Sequence, residues 1–188
     1  MREAEVRAVL MDPNNGAPVV LLQDRHSSKV LPIWIGHPEA LSIAAALERK
    51  RFPRPMSHDL MKSLLEAVGA RVEKVIISDL KDNVFYATIY LRTSDGTLYE
   101  IDARPSDSVA LALRADAPIY ISEDVFDQSA MEFPDMFFEE DQDGEAVIES
   151  EFEPTEEEEE NTPEEERQRF EEFVDRELNL AEFKRYID

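Results

Sequence analysis

Ile101-Asp102-Ala103-Arg104-Pro105-Ser106-Asp107-Ser108-Val109-Ala110-Leu111-Ala112-Leu113 reads as the end of a strand, a tight corner and the start of a helix. Proline clashes with an α conformation at the residue before it, so Arg104 is expected to be extended. Pro105 suits the first helical position, or Ser106 caps the helix. Asp107 falls in the first turn, where the helix dipole favours a negative charge. Val109, Ala112 and Leu113 form a stripe at i, i+3 and i+4 that pins the helix to a core. Asp102, Arg104 and Asp107 lie within six residues of one another. Such a corner holds side chains on an open end between rigid elements, a frequent seat of chemistry. The same residues also have a purely structural reading. Asp107 then only compensates the dipole, and Arg104 only pairs with Asp102 or Asp107.

The segment before this corner is rich in strand signals. In the run Val84–Leu91, Phe85, Ala87, Ile89 and Leu91 alternate with Val84, Tyr86, Thr88 and Tyr90, the period of a strand. Ser94-Asp95-Gly96 is a hairpin turn leading into the strand Leu98–Asp102. Upstream, Val72, Val75, Ile76 and Ile77 mark another strand. Near the start, Val6–Met11, Pro18–Gln23 and Val30–Ile35 are short apolar runs joined by turn residues, which predicts an antiparallel meander. Between the meander and the later strands lie two helical stretches. Pro38-Glu39 opens one that is apolar on nearly every side and so expected to be buried. Ser57 is expected to cap the other, with Leu60, Met61, Leu64, Leu65 and Val68 on its inner side and Gly69 ending it. Downstream of the corner helix, Ala117–Ile121 makes a short strand, and Ser122 caps a brief helix through Val125 and Phe126. Strands and helices come in runs, so the fold class is α+β: a mostly antiparallel sheet with three principal helices packed on it.

Charge divides the chain. Residues 1–130 carry 15 Lys and Arg against 19 Asp and Glu, a net −4; residues 131–188 carry 5 against 24, a net −19. The expected organisation is a domain over 1–130, an acidic disordered linker over 131–162 and a C-terminal helical segment over 163–188. In that segment Thr162-Pro163-Glu164-Glu165 resembles a helix start, and Phe170, Phe173, Val174 and Leu178 share one face. An aromatic stripe after an acidic linker suits docking, on its own domain, on another subunit or on a protein partner. The chain has no Cys, which excludes disulfides, thiolate metal sites and a Cys nucleophile. Met1-Arg2-Glu3-Ala4-Glu5 carries no apolar signal segment, and no apolar run approaches the ~20 residues of a membrane helix, so a soluble cytoplasmic protein is expected, with no membrane partner.

A second constellation, Arg54-Pro55-Met56-Ser57-His58-Asp59-Leu60, sets His58 beside Asp59 at a helix N-terminus, where backbone N–H groups attract anions. Arg54 adds a fork suited to phosphate. Asp59, Asp102, Asp107 and Glu39, with one imidazole, form a set that would hold Mg²⁺ or Mn²⁺, activate water and stabilise a phosphoryl transition state.

These blocks, with Leu31-Pro32-Ile33-Trp34-Ile35-Gly36, Glu39-Ala40 and Ala117-Pro118-Ile119-Tyr120, resemble the bifunctional nuclease domain family over about residues 1–130, with all blocks in order. The resemblance implies cleavage of DNA and RNA. Our own assignment makes His58, Asp59, Asp102 and Asp107 the catalytic set. Arg54, Arg104, Arg49, Lys50 and Arg51 meet the substrate, and Asp59, Asp102, Asp107 and Glu39 hold the metal. Two other readings are open. The first is a non-catalytic interaction or regulatory module that recruits a partner through the acidic, Phe-rich tail. The second is a binder of a small anion at the two helix starts. Exposed strand edges make a homo-oligomer the expected assembly.

Overall fold

Three strands joined by turns open the chain: β1 (Arg2–Met11), β2 (Pro18–Asp24) and β3 (Lys29–Trp34). They pair antiparallel in the expected meander, with a bulge in β1 between Val6 and Ala8. The structure, a computed structural model, describes residues 1–12 and 16–132. Helices α1 (His37–Leu47) and α2 (Ser57–Ala67) follow, then β4 (Ala70–Lys81), β5 (Val84–Thr93) and β6 (Leu98–Ala103). The corner helix is α3 (Pro105–Ala115), and β7 (Ile119–Ile121), α4 (Glu123–Ser129) and β8 (Met131–Glu132) complete the described chain. The fold is α+β, as the sequence indicates.

The turns obey local stereochemistry. Asp82 and Asn83 both have positive φ, 49° and 62°, the conformation that a two-residue hairpin between twisted strands demands. Ser122 Oγ accepts from the Val125 N–H at 3.3 Å and caps α4. Arg104 is extended (φ −69°, ψ 146°) and Pro105 occupies the first helical position. At α2, Ser57 is itself helical and the cap residue is Met56, so Ser57 does not cap. The Met56 N–H instead donates to Asp59 Oδ2 at 2.9 Å.

The eight strands form one sheet in the order β6-β5-β4-β7-β1-β2-β3-β8. Every pair is antiparallel except β4 with β7, which run parallel. The short β7 thereby joins the β4–β6 half of the sheet to the meander. α3 lies between α1 and α2 on one face. That face supplies the main core: Val20, Leu22, Leu31 and Ile33 from the meander, Val75, Ile77, Ala87 and Ile89 from the other half, and Val109–Ala112 of α3. Val109, Ala110 and Ala112 are fully buried, so small side chains let α3 lie close against the strands. A smaller cluster of Val19, Leu21 and Val30 sits apart from this core. The sheet runs on through Met131 and Glu132, which pair with Val30 and Lys29. The acidic linker and C-terminal helical segment expected from the sequence lie outside the described residues. Among the described residues no helix is long and apolar enough to cross a membrane.

α2 departs from the sequence expectation. Of the residues expected on its inner side, Leu65 packs against the core, but Leu60, Met61, Leu64 and Val68 do not face inward: they are 50, 43, 58 and 73 % exposed. The buried residue of α2 is His58. Polar contacts, described next, set the rotation of this helix.

Candidate active site

Ser42 of α1, His58 of α2 and Asp107 of α3 meet where the three helices converge. Ser42 is 3 % and His58 6 % exposed. His58 Nδ1 lies 2.8 Å from Ser42 Oγ, and its Nε2 lies 3.2 Å from Asp107 Oδ1. With Nε2 protonated toward the carboxylate, Nδ1 accepts the Ser42 hydroxyl proton, and both nitrogens are satisfied without water. Asp107 reaches outward through its second oxygen: Arg104 Nε donates to Oδ2 at 2.7 Å. Arg104 Nη2 then donates to Glu39 Oε1 at 2.8 Å. The result is a chain of alternating groups, Ser42–His58–Asp107–Arg104–Glu39, that starts in the interior and meets solvent at Arg104. The Arg104 side chain is 65 % exposed, Asp107 26 % and Glu39 17 %.

The sequence builds this chain locally. Extended Arg104 and helical Pro105 aim the Arg104 side chain back over the first turn of α3, where Asp107 stands three residues on. Gly36 caps α1 and leaves room for Glu39. A Cβ at residue 36 would lie 2.3 Å from Glu39 Oε2.

The electrostatics follow from the pairing. Burial pushes the Asp107 carboxyl upward, but hydrogen bonds from Arg104 and His58 outweigh it and hold the group below the usual carboxylate range. The bonds to Asp107 and then Glu39 raise the Arg104 guanidinium further, so it is cationic at every relevant pH.

A second network fastens α2 to α3. Arg114 Nε donates to Asp59 Oδ1 at 2.5 Å, and its Nη1 donates to the carbonyls of Ser42 and Ala110 at 3.1 and 2.9 Å. Lys62 Nζ donates to the Arg114 carbonyl at 2.7 Å. Burial opposes ionisation of Asp59, and the Arg114 and Met56 bonds reverse that effect to lower its pKa.

The expected site residues therefore separate. Glu39, His58, Arg104 and Asp107 come together. Asp59 is bound by Arg114 and serves α2. Asp102 is opposite Thr88 on β6, while Ala103, opposite buried Ala87, packs on the core. Alternation along the strand consequently turns the Asp102 side chain to the other face of the sheet, away from His58. Among the described residues no group of three or more Asp, Glu or His side chains is placed to hold a metal ion. Arg49, Lys50, Arg51 and Arg54 are exposed in the loop between α1 and α2, and none is paired with a carboxylate among the described residues. Two participants escaped the sequence reading, Ser42 and Arg114. Ser42 is the one polar residue in Ala40–Leu47, and Arg114 lies seven residues, two helical turns, after Asp107. Those positions were the available signals.

A family model for the bifunctional nuclease domain matches residues 20–134. An uncharacterized protein of Mycobacterium tuberculosis is 38 % identical over 135 residues, covering 72 % of this chain and 80 % of that protein. Bifunctional nuclease 1 of Oryza sativa subsp. japonica is 28 % identical over 106 residues, 55 % of this chain and 32 % of that protein. Bifunctional nuclease 2 of Arabidopsis thaliana is 25 % identical over 128 residues, 63 % of this chain and 39 % of that protein. The chain thus spans well under half of either plant relative, 32 % of one and 39 % of the other.

Proposed function

The chain belongs to the bifunctional nuclease domain family, and from that premise we propose that it hydrolyses phosphodiester bonds of DNA and RNA at the Glu39–Arg104–Asp107–His58 corner. The observation that carries the reading is Arg104. It is a largely exposed guanidinium, fixed between two carboxylates at a strand-to-helix corner, with Nη1 unbonded toward the described residues. A guanidinium presents five donors in a planar fork that matches two phosphate oxygens. In this reading Arg104 binds the scissile phosphate and stabilises the charge that builds on its oxygens as water attacks. Asp107 takes the proton of the attacking water. The water oxygen forms the new bond to phosphorus, the ester P–O bond breaks, and solvent protonates the departing oxygen. His58 is a positioning residue: both its nitrogens are engaged, and it holds Asp107 in place through Nε2. Arg49, Lys50, Arg51 and Arg54 supply sequence-independent attraction for the phosphate backbone.

The expected Mg²⁺ or Mn²⁺ enters this reading as a variable of the assay, and no step depends on it. Glu39 and Asp107 are the two carboxylates that a cation near Arg104 would meet.

The test is cleavage of labelled single-stranded DNA, duplex DNA and RNA by highly purified full-length protein, with Mg²⁺, Mn²⁺ or EDTA. Arg104→Ala and Asp107→Asn proteins, verified as folded, run beside it. Cleavage that both substitutions abolish supports the assignment. Cleavage retained at equal rate in both variants removes it, and no cleavage of any substrate removes the nuclease reading.

A further inference from the structure

The outer face of α2 is apolar and has no partner among the described residues. Ser57, Leu60, Met61, Leu64, Ala67 and Val68 are all exposed and fall within an arc of about 120° on a helix of 3.6 residues per turn. None is charged. Lys62 lies on the opposite side with His58 and Leu65, so the stripe runs unbroken along the helix. Polar bonds from Asp59, His58 and Lys62 to α1 and α3 fix this orientation, so the stripe is not a surface that simply failed to turn inward.

We propose that this stripe is the contact between two copies of the chain, paired helix to helix about a two-fold axis near Leu64. Two features favour a second copy over an unlike partner. First, a two-fold contact sets a patch against itself, so any charge in it meets its like. The chain carries −23 overall, and this stripe is a place where two copies meet without opposing charges. Second, the area suits a helix pair. The exposed fractions leave about 400 Å² of apolar surface per copy, so pairing hides about 800 Å² before flanking contacts, below the ~1,200 Å² of stable interfaces and in the range of weak, transient ones. A contact of that size is expected to give a weak dimer whose population depends on concentration. The inference does not rest on the nuclease reading.

Sedimentation equilibrium of the full-length chain from low to high micromolar concentration tests it, beside Leu64→Glu. The expected result is a wild-type mass rising from 21.6 kDa toward twice that value. Leu64→Glu should stay monomeric with an unchanged circular dichroism spectrum. Because the chain has no Cys, Leu64→Cys introduces a single thiol next to the proposed axis. It should form a covalent dimer on mild oxidation, whereas His26→Cys, at an exposed position away from the stripe, should not. A monomer at all concentrations overturns the proposal. So does a dimer that Leu64→Glu leaves intact. A monomeric Leu64→Cys protein whose introduced thiol resists maleimide also overturns it and assigns the stripe to another segment of the same chain.

Discussion

At Arg104 two carboxylates share one guanidinium, and geometry decides how much a conservative change costs. Lysine keeps the charge but not the planar fork, so it cannot hold Asp107 and Glu39 while meeting a phosphate. Arg104→Lys should therefore lower kcat/KM for oligonucleotide cleavage by about 10²–10³-fold, the range for removing one transition-state donor. Its melting temperature should move little, because lysine keeps a positive charge beside both carboxylates at a side chain that is itself 65 % exposed. A loss of activity matched by a large loss of stability would reassign Arg104 to a structural role. Behind it, Ser42→Ala leaves buried His58 Nδ1 without its partner, at a cost of about 1–3 kcal/mol in urea unfolding. Unchanged stability would mean that another group satisfies Nδ1. Glu39, His58, Arg104 and Asp107 were legible in the sequence because they are charged or titratable and sit at helix starts. Ser42 was not, since a hydroxyl inside an alanine-rich helix is indistinguishable from filler until the imidazole arrives from another helix.

α2 and β6 mark what periodicity can and cannot reveal at the scale of elements. The alternation in β5 and the Arg-Pro corner of α3 were readable because local stereochemistry settles both. In α2 the spacing of Leu60, Leu64 and Val68 defines an apolar face, but nothing in that spacing says whether the face turns toward the sheet. His58, Asp59 and Lys62 decide it through partners on α1 and α3. Asp102 shows the converse. Its nearness to Arg104 in sequence suggested a shared site, yet the pairing of Ala103 with buried Ala87 sends Asp102 to the other face. If α2 is held mainly by polar bonds, removing Arg114 should loosen it before the rest of the domain. Arg114→Met preserves bulk while deleting bonds to Asp59, Ser42 and Ala110. It should cost about 2 kcal/mol, discounted for the partial exposure of Asp59. Amide exchange should accelerate across residues 57–67 with little change in β4 and β5. Uniform acceleration everywhere would instead make α2 part of one cooperative unit.

Across the whole molecule, the sheet order depends on contacts that no local pattern encodes. The parallel placement of β7 between β4 and β1 joins segments more than 40 residues apart, and only the assembled core selects it. A polar lock closes the same region. Asp24, 1 % exposed, accepts from Arg2 Nη1 at 3.1 Å and Ser27 Oγ at 2.8 Å, tying β1 to the turn after β2. The Arg2 guanidinium also stacks 4.5 Å above the Phe126 ring, and the N-terminal ammonium pairs with Glu123, so α4 joins the lock. Burial opposes the Asp24 charge, but bonds from Ser27, His26 and Arg2 prevail and lower its pKa. Asp59, Asp107, Glu73 and Glu123 are likewise lowered. The sign follows from linkage: a carboxyl with a depressed folded pKa binds its proton first in the unfolded chain. Its stabilisation is complete above the unfolded value of about 4, and it is lost as pH falls from there through the folded value. Urea midpoints should therefore be nearly level from neutral pH to about pH 5 and drop steeply below about pH 4. Asp24→Asn should be less stable than wild type at neutral pH, where the buried charge pair is lost, and less sensitive to acid. The two curves should converge as Asp24 protonates. Parallel curves down to the lowest pH would place the acid sensitivity elsewhere among the lowered carboxylates and reduce Asp24 to a packing residue.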